Sequence, residues 1–133
     1  LMAIEKGNSD AMYNLGYYYH VIEKNYVEMK KYYLMAIEKG NSAAMNDLGL
    51  YYKCSEQDYV KMKKYYLMAI EKGHPSAMHN IGYYFQIIEK DYVEMKKYYL
   101  MAINNGHVLA MNRIGHHYEH IEKKYEEAKK YYL

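Results

Sequence analysis

Apolar residues in this chain recur at steps of three and four rather than in the two-residue alternation of a strand. Across residues 9–23, Ala11, Met12, Leu15, Tyr19 and Ile22 draw one stripe along a helix. Across residues 26–39, Tyr26, Met29, Tyr33 and Ala36 draw a second. Two helices are therefore expected, and the residues around them mark where each begins and ends. Asn8 and Asn41 stand where a side-chain oxygen caps the first helix, and in a third copy Pro75 takes its first position, where a missing amide costs least. Asn25, Asp58 and Asp91 precede the second helix as caps, with Glu28 and Glu94 placed to complete capping boxes. Gly7, Gly40, Gly73 and Gly106 end that helix, as residues free to turn left-handed.

The whole pattern returns every 33 residues without a gap, in units 1–33, 34–66, 67–99 and 100–132, which open LMAIEKG three times and then LMAINNG. A fixed period of this length redefines the fold. Isolated helices of about 12 to 15 residues are marginal in water, so each pair must bury its stripes against the next pair. The expectation is an all-α solenoid of helix-turn-helix units, residues 1–133 forming a single array. Neither end carries a polar capping unit. The chain is thus expected to be a fragment of a longer array, with residues 1–6 the tail of a preceding second helix.

Gly16, Gly49, Gly82 and Gly115 lie inside the first helix, where each costs about 1 kcal/mol against Ala. Close approach of the paired helix is the expected compensation. Tyr26, Tyr33 and their equivalents are expected in the core. Tyr32, Tyr65, Tyr98 and Tyr131 sit one residue off the stripe and are expected to wedge between successive units, a cofactor- or base-stacking role being the alternative. The lysine pairs 30/31, 63/64, 96/97 and 129/130 form a ridge on the outer side of the second helix, interleaved with Glu28, Glu38, Glu94 and Glu127. A solvated face with weak ion pairs is the first reading of it, and phosphate binding the second.

Composition narrows the function classes. With 51% apolar and 26% charged residues the chain can pack a core, and 18 basic against 16 acidic residues leave a net charge of only +2. One basic residue alone is arginine, Arg113, and bidentate reading of phosphates usually calls on Arg, so nucleic acid is disfavoured. The single cysteine, Cys54, excludes an internal disulfide and fits a reducing compartment. No apolar run approaches the roughly 20 residues of a membrane span. No Walker loop, dinucleotide fingerprint or Ser-His-Asp arrangement is present, so neither enzymatic activity nor a cofactor is expected.

AMYNLGYYY followed by NYVEMKKYYLMAIEKGN resembles the Sel-1-like branch of the tetratricopeptide superfamily over the whole chain. Ala11, Leu15, Gly16 and Tyr19 fit the pattern of its first helix; Asp58, Tyr59, Tyr65, Tyr66, Ala69 and Gly73 fit its second. Two departures stand out. The usual Gly-x-Gly turn between the helices is absent, which shortens the unit, and a small residue of the second helix is replaced by Met29, Met62 and Met95, only Ala128 conforming. An ankyrin array shares the period but requires a Thr-Pro-Leu-His turn that is missing. The resemblance implies a right-handed alpha-alpha superhelix whose first helices line a concave groove.

Opposite the apolar stripe of the first helix lie the positions that vary most between units. They hold Asp10, Tyr13, Tyr17, His20 and Val21; then Ala43, Asn46, Leu50, Lys53 and Cys54; then Ser76, His79, Tyr83, Gln86 and Ile87; and finally Leu109, Asn112, His116, Glu119 and His120. Packing is not expected to dictate them. The resemblance implies that they form the partner-binding groove, and the function expected is a non-enzymatic scaffold or adaptor for a protein or peptide. The alternatives are an RNA-binding repeat and a structural component that self-assembles into a larger particle. His116 and His120, four residues apart on one face, are weak metal candidates that need further ligands from His79 or Glu119. The expected setting is cytoplasmic or otherwise reducing, either the host cell or the virion of a large DNA virus.

Overall fold

The computed structural model describes residues 8–132, so the expected leading helix tail at residues 1–6 and the turn at Gly7 lie outside the described residues. The described chain is helical, with no strand among its residues. Four helix pairs follow one another: α1 (Ser9–Tyr17) and α2 (Tyr26–Glu38), α3 (Ser42–Tyr51) and α4 (Tyr59–Glu71), α5 (Pro75–Tyr84) and α6 (Tyr92–Asn104), α7 (Val108–His120) and α8 (Tyr125–Tyr132). None of these helices is long and apolar enough to cross a membrane.

The helix ends follow the local chemistry. Asn8 and Asn41 accept the amides of Ala11 and Ala44 at 3.1 and 2.9 Å. Asn25, Asp58 and Asp91 do the same for Glu28, Lys61 and Glu94 at 3.2, 3.1 and 3.2 Å. At the far end of α2 the Asn41 amide reaches back to the Ala36 carbonyl at 3.0 Å across Gly40, whose φ of +84° is the left-handed turn such a closure needs. The capping boxes are incomplete, however. The Asn25 and Asp91 amides, which Glu28 and Glu94 were expected to satisfy, bond instead to the Tyr19 and Phe85 carbonyls at 2.8 and 2.9 Å.

Those last bonds explain the shortened turn between paired helices. The first helices of the first three pairs end in a π-helical turn, Tyr18–Glu23, Tyr52–Glu56 and Phe85–Glu89, closed by a single left-handed residue. That residue is Lys24, Gln57 or Lys90, with φ of 53° to 54°. One Asn or Asp then ends the first helix with its amide and starts the second with its side chain, so no Gly-x-Gly is required. The wider turn also shifts the helical phase. Ile22, expected to end the apolar stripe, is 65% exposed.

Packing sets the remaining fixed positions. Met29, Met62, Met95, Tyr33, Tyr66, Tyr99, Ala36, Ala69 and Ala102 are fully buried. Each glycine of a first helix lies against the tyrosine of its paired helix; a Cβ on Gly49 would stand 2.7 Å from Tyr66 Cδ1 and 3.3 Å from the Met62 carbonyl oxygen. Tyr26 departs from the expectation. It is 38% exposed, because it opens α2 beside the exposed π turn rather than entering the core. The off-stripe tyrosines also differ from the expected wedge between units. Tyr32 stacks on Tyr19, Tyr65 on Tyr52 and Tyr98 on Phe85, with centroids 5.7 to 5.8 Å apart, so each ring joins the two helices of its own pair.

The chain divides into two compact units, Leu1–His74 and Pro75–Leu133. In the first, α3 packs on both α2 and α4; in the second, α7 packs on both α6 and α8. The effect of a neighbouring pair is visible in burial: Ala44 and Leu48 of α3, covered on both sides, are fully buried, whereas Ala11 and Leu15 of α1 are only half-buried.

Candidate functional site

The variable positions of the first helices do three different jobs. Tyr17, Val21, Leu50, Cys54, Ile87, Asn112, His116 and His120 are exposed, as are Asp10, Ser76 and Leu109. A second group is tied to the core. His20 Nδ1 lies 3.2 Å from the Tyr33 hydroxyl, and the hydroxyls of Tyr99 and Tyr132 donate to Gln86 and Glu119 at 2.7 and 2.8 Å. This one position therefore receives the hydroxyl of the paired helix's tyrosine, and packing constrains its polarity. Lys53 occupies it in the second pair, where the buried Tyr66 hydroxyl has no partner.

The third group lies between neighbouring first helices. Asn46 and His79, expected to face a partner, are each only 8% exposed, which corrects their assignment to an open surface. His79 stacks on Tyr99 at 5.7 Å and on His107 at 4.7 Å, and its Nε2 accepts from Arg113 Nε at 3.1 Å. Tyr13, half-buried, donates to Asp47 at 2.7 Å. Burial and then that carboxylate push the Tyr13 hydroxyl far above its ordinary range, so it stays a donor. Burial pushes the His20 imidazole below its ordinary range.

Each unit has an open cavity on this face. In the first unit a cavity of about 580 Å³ is lined by Ser9, Asp10, Tyr13, Asn14, Asn41, Ser42 and Ala43, an acidic and amide surface in which Asn41 Nδ2 donates to Asp10 at 3.2 Å. In the second unit a cavity of about 440 Å³ is lined by Gln86, Ile87, Lys90, Tyr92, Arg113, His116, His117 and Ile121. Its lining is more apolar and carries cations but no carboxylate. Gln86, Ile87 and His116 among these were legible as variable positions; Lys90, Tyr92, Arg113, His117 and Ile121 were missed. Signals were available for two of the five: Arg113 is the chain's only arginine, and His117 stands where Tyr18, Tyr51 and Tyr84 stand in the other repeats.

His117 shows what that exchange does. Tyr18 and Tyr51 each donate a hydroxyl to the glutamate five residues on at 2.7 Å, and Tyr84 donates likewise to Glu89. His117 is fully buried and offers Nε2 to Glu122 at the same 2.7 Å, while its Nδ1 has no hydrogen-bond partner. Burial lowers its imidazole below the ordinary range despite the carboxylate beside it.

The lysine ridge is partly consumed by packing. Lys30 pairs with Glu56 and Lys96 with Glu122, both at 2.7 Å, each linking a second helix to the turn after the next first helix. Lys31, Lys64 and Lys97 lie 5.0 to 5.2 Å over the stacked Tyr32, Tyr65 and Tyr98. The two ion pairs take up charge that phosphate binding requires. The His116 and His120 rings lie 4.2 Å apart, and His120 Nε2 sits 3.3 Å from Glu119. Among the described residues no group of three His, Cys, Asp or Glu side chains is placed to hold a metal ion.

Among solved structures the chain is similar to a Sel1 repeat protein from Oxalobacter formigenes, at 30% identity and TM-score 0.77, covering 95% of this chain and 57% of that one. It is also similar to a protective antigen present in uropathogenic Escherichia coli strains that displays an SLR fold, at 28% identity and TM-score 0.82, covering 98% and 30%. With an immunity protein from Pseudomonas aeruginosa it shares the fold, at 23% identity and TM-score 0.69, covering 98% and 53%. The chain thus spans only part of each of these proteins. Neither the protein-family models nor the curated proteins match the sequence.

Proposed function

From the premise that this chain is a Sel1-like repeat array of the tetratricopeptide superfamily, we propose that it is a non-enzymatic scaffold whose first-helix face holds a peptide or folded protein. Such repeats form helical protein-interaction modules, and the exposed variable positions, Tyr17, Val21, Leu50, Ile87 and His116 among them, are the ones available to a partner. The observation that carries the reading is the cavity of the second unit, where three variable positions, Gln86, Ile87 and His116, meet around about 440 Å³ of open space. Exposed apolar residues rimmed by polar ones mark interaction surfaces, and Ile87 and Ile121 beside Gln86 and Arg113 have that composition. The exposed thiol of Cys54 fits a reducing compartment.

Affinity capture with the wild-type chain and with a variant carrying Tyr17→Ala, Leu50→Ala, Tyr83→Ala and His116→Ala tests the reading. The variant should keep its thermal melt and lose specific partners. Identical partner lists would remove the first-helix face as the binding surface. Raising the salt separates the reading from RNA binding, since affinity through phosphate contacts falls steeply with salt and groove packing does not.

A further inference from the structure

We propose that the cavity of the second unit recognises an acidic-aliphatic segment of a partner protein, with carboxylate side chains flanking an aliphatic one; the proposal rests on the groove reading above. Its lining sorts by chemistry onto two walls. One wall, from the end of α5 to the start of α6, supplies Ile87 with Gln86 and Lys90; the other, along α7 and just beyond it, supplies Ile121 with Arg113 and His116. Each wall thus offers an apolar side chain and a cation, and no Asp or Glu lines the space.

The cations are uncommitted. Among the described residues no carboxylate pairs with Lys90 or Arg113, whereas Lys96 and Lys124 of the same unit both lie on Glu122, at 2.7 and 3.6 Å. Arg113 is nonetheless held in place. Its Nε is bonded to His79 and its guanidinium lies 4.6 Å over the Tyr83 ring, so its terminal nitrogens are oriented before any acceptor arrives. His117, also of the lining, is bonded through Nε2 to Glu122 at 2.7 Å. Position 113 holds Asn14, Asp47 and Asn80 in the other repeats, so the charge is particular to this cavity. The cavity of the first unit has Asp10 and no cation in its lining, which makes it an internal control.

A protein segment fits better than a nucleic acid. Two isoleucines occupy the walls, and the one tyrosine of the lining, Tyr92, packs edge-on against His117 at 4.4 Å instead of offering a stacking platform.

Fluorescence anisotropy with a short labelled peptide alternating Glu and Leu tests this directly, beside the same peptide with Gln for Glu and a labelled oligouridylate. The Glu peptide should bind, and the Gln peptide should bind at least about tenfold more weakly, as the loss of charge-assisted contacts implies. Lys90→Gln should weaken the Glu peptide by about the same factor. That variant keeps the fold, because Gln57 already holds the equivalent left-handed backbone at φ 53° against 54° for Lys90. Arg113→Gln should weaken it further, and Asp10→Asn in the first unit should change nothing. The proposal is overturned by equal binding of the Glu and Gln peptides, by unchanged affinity in both cation variants, by tighter binding of oligouridylate, or by no binding of the Glu peptide at all. Equal binding of both peptides that is lost with Ile87→Ser leaves the groove reading standing while removing the acidic partner. The capture experiment judges the groove reading independently.

Discussion

Gly49 and Gly115 occupy the same position of two first helices, yet replacing each with alanine should move stability in opposite directions. Alanine in a helix interior is worth about 1 kcal/mol over glycine, so both substitutions begin with that gain. At Gly49 the new methyl group would stand 2.7 and 2.8 Å from two carbons of Tyr66 and 3.3 Å from the backbone oxygen of Met62. Tyr66 is fully buried and Met62 O belongs to α4, so neither can yield without disturbing the pair. Overpacking of this kind costs about 1 to 3 kcal/mol, which leaves a net loss of about 1 kcal/mol and a melting temperature lower by about 3 °C. At Gly115 the nearest atom is Tyr132 Cε1 at 2.9 Å, on a ring that is 47% exposed and can swing outward at the cost only of its exposed bond to Glu119. There the propensity gain should prevail, raising stability by about 0.5 kcal/mol. Thermal melts followed by far-UV circular dichroism, with urea unfolding as a second measure, read both. A rise for Gly49→Ala, or a shift of the same sign at both sites, would refute the account of why these glycines are there.

Other substitutions test the polar wiring. Tyr99→Phe removes a hydrogen bond to Gln86 and should cost about 1 kcal/mol, whereas Tyr66→Phe removes a hydroxyl that has no partner and should be neutral or slightly stabilising in the same urea titration. Acid should destabilise the fold through histidines that folding partly or wholly desolvates. Burial lowers His117, His20 and His74, so the unfolded chain takes up protons first as pH falls. Their contribution is full above the ordinary value of about 6.5 and is lost as pH falls from there through the lower folded values. His117→Tyr, which restores the residue of the other repeats, should keep the fold and reduce the drop in melting temperature between about pH 7 and 5; an unchanged drop would take the effect away from His117.

Much of this was legible in the sequence because it is local. Caps at Asn8, Asn25 and Asp58, the left-handed Gly40 and the buried Met29, Tyr33 and Ala36 follow from residue type and spacing within one turn or one helix face. What escaped depends on partners far along the chain. The stacking of Tyr32 on Tyr19 and the bond from Tyr99 to Gln86 each join residues 13 apart across a π turn whose phase shift a 3.6-residue period does not anticipate. Lys30 meets Glu56 and Tyr13 meets Asp47 from neighbouring repeats, 26 and 34 residues away. Variation between repeats was a useful but incomplete guide to the site. Asn46 and His79 vary and are buried, while Arg113 and His117, at positions outside the variable set, line the cavity that the proposal rests on.

The most direct test of the central claim is amide hydrogen exchange on the chain, free and bound to a captured partner. Protection should increase along α5, α7 and the Phe85–Glu89 turn, where Gln86, Ile87, Arg113 and His116 face the cavity. Protection confined to the lysine-bearing second helices α2, α4, α6 and α8, with the first helices unchanged, would contradict it.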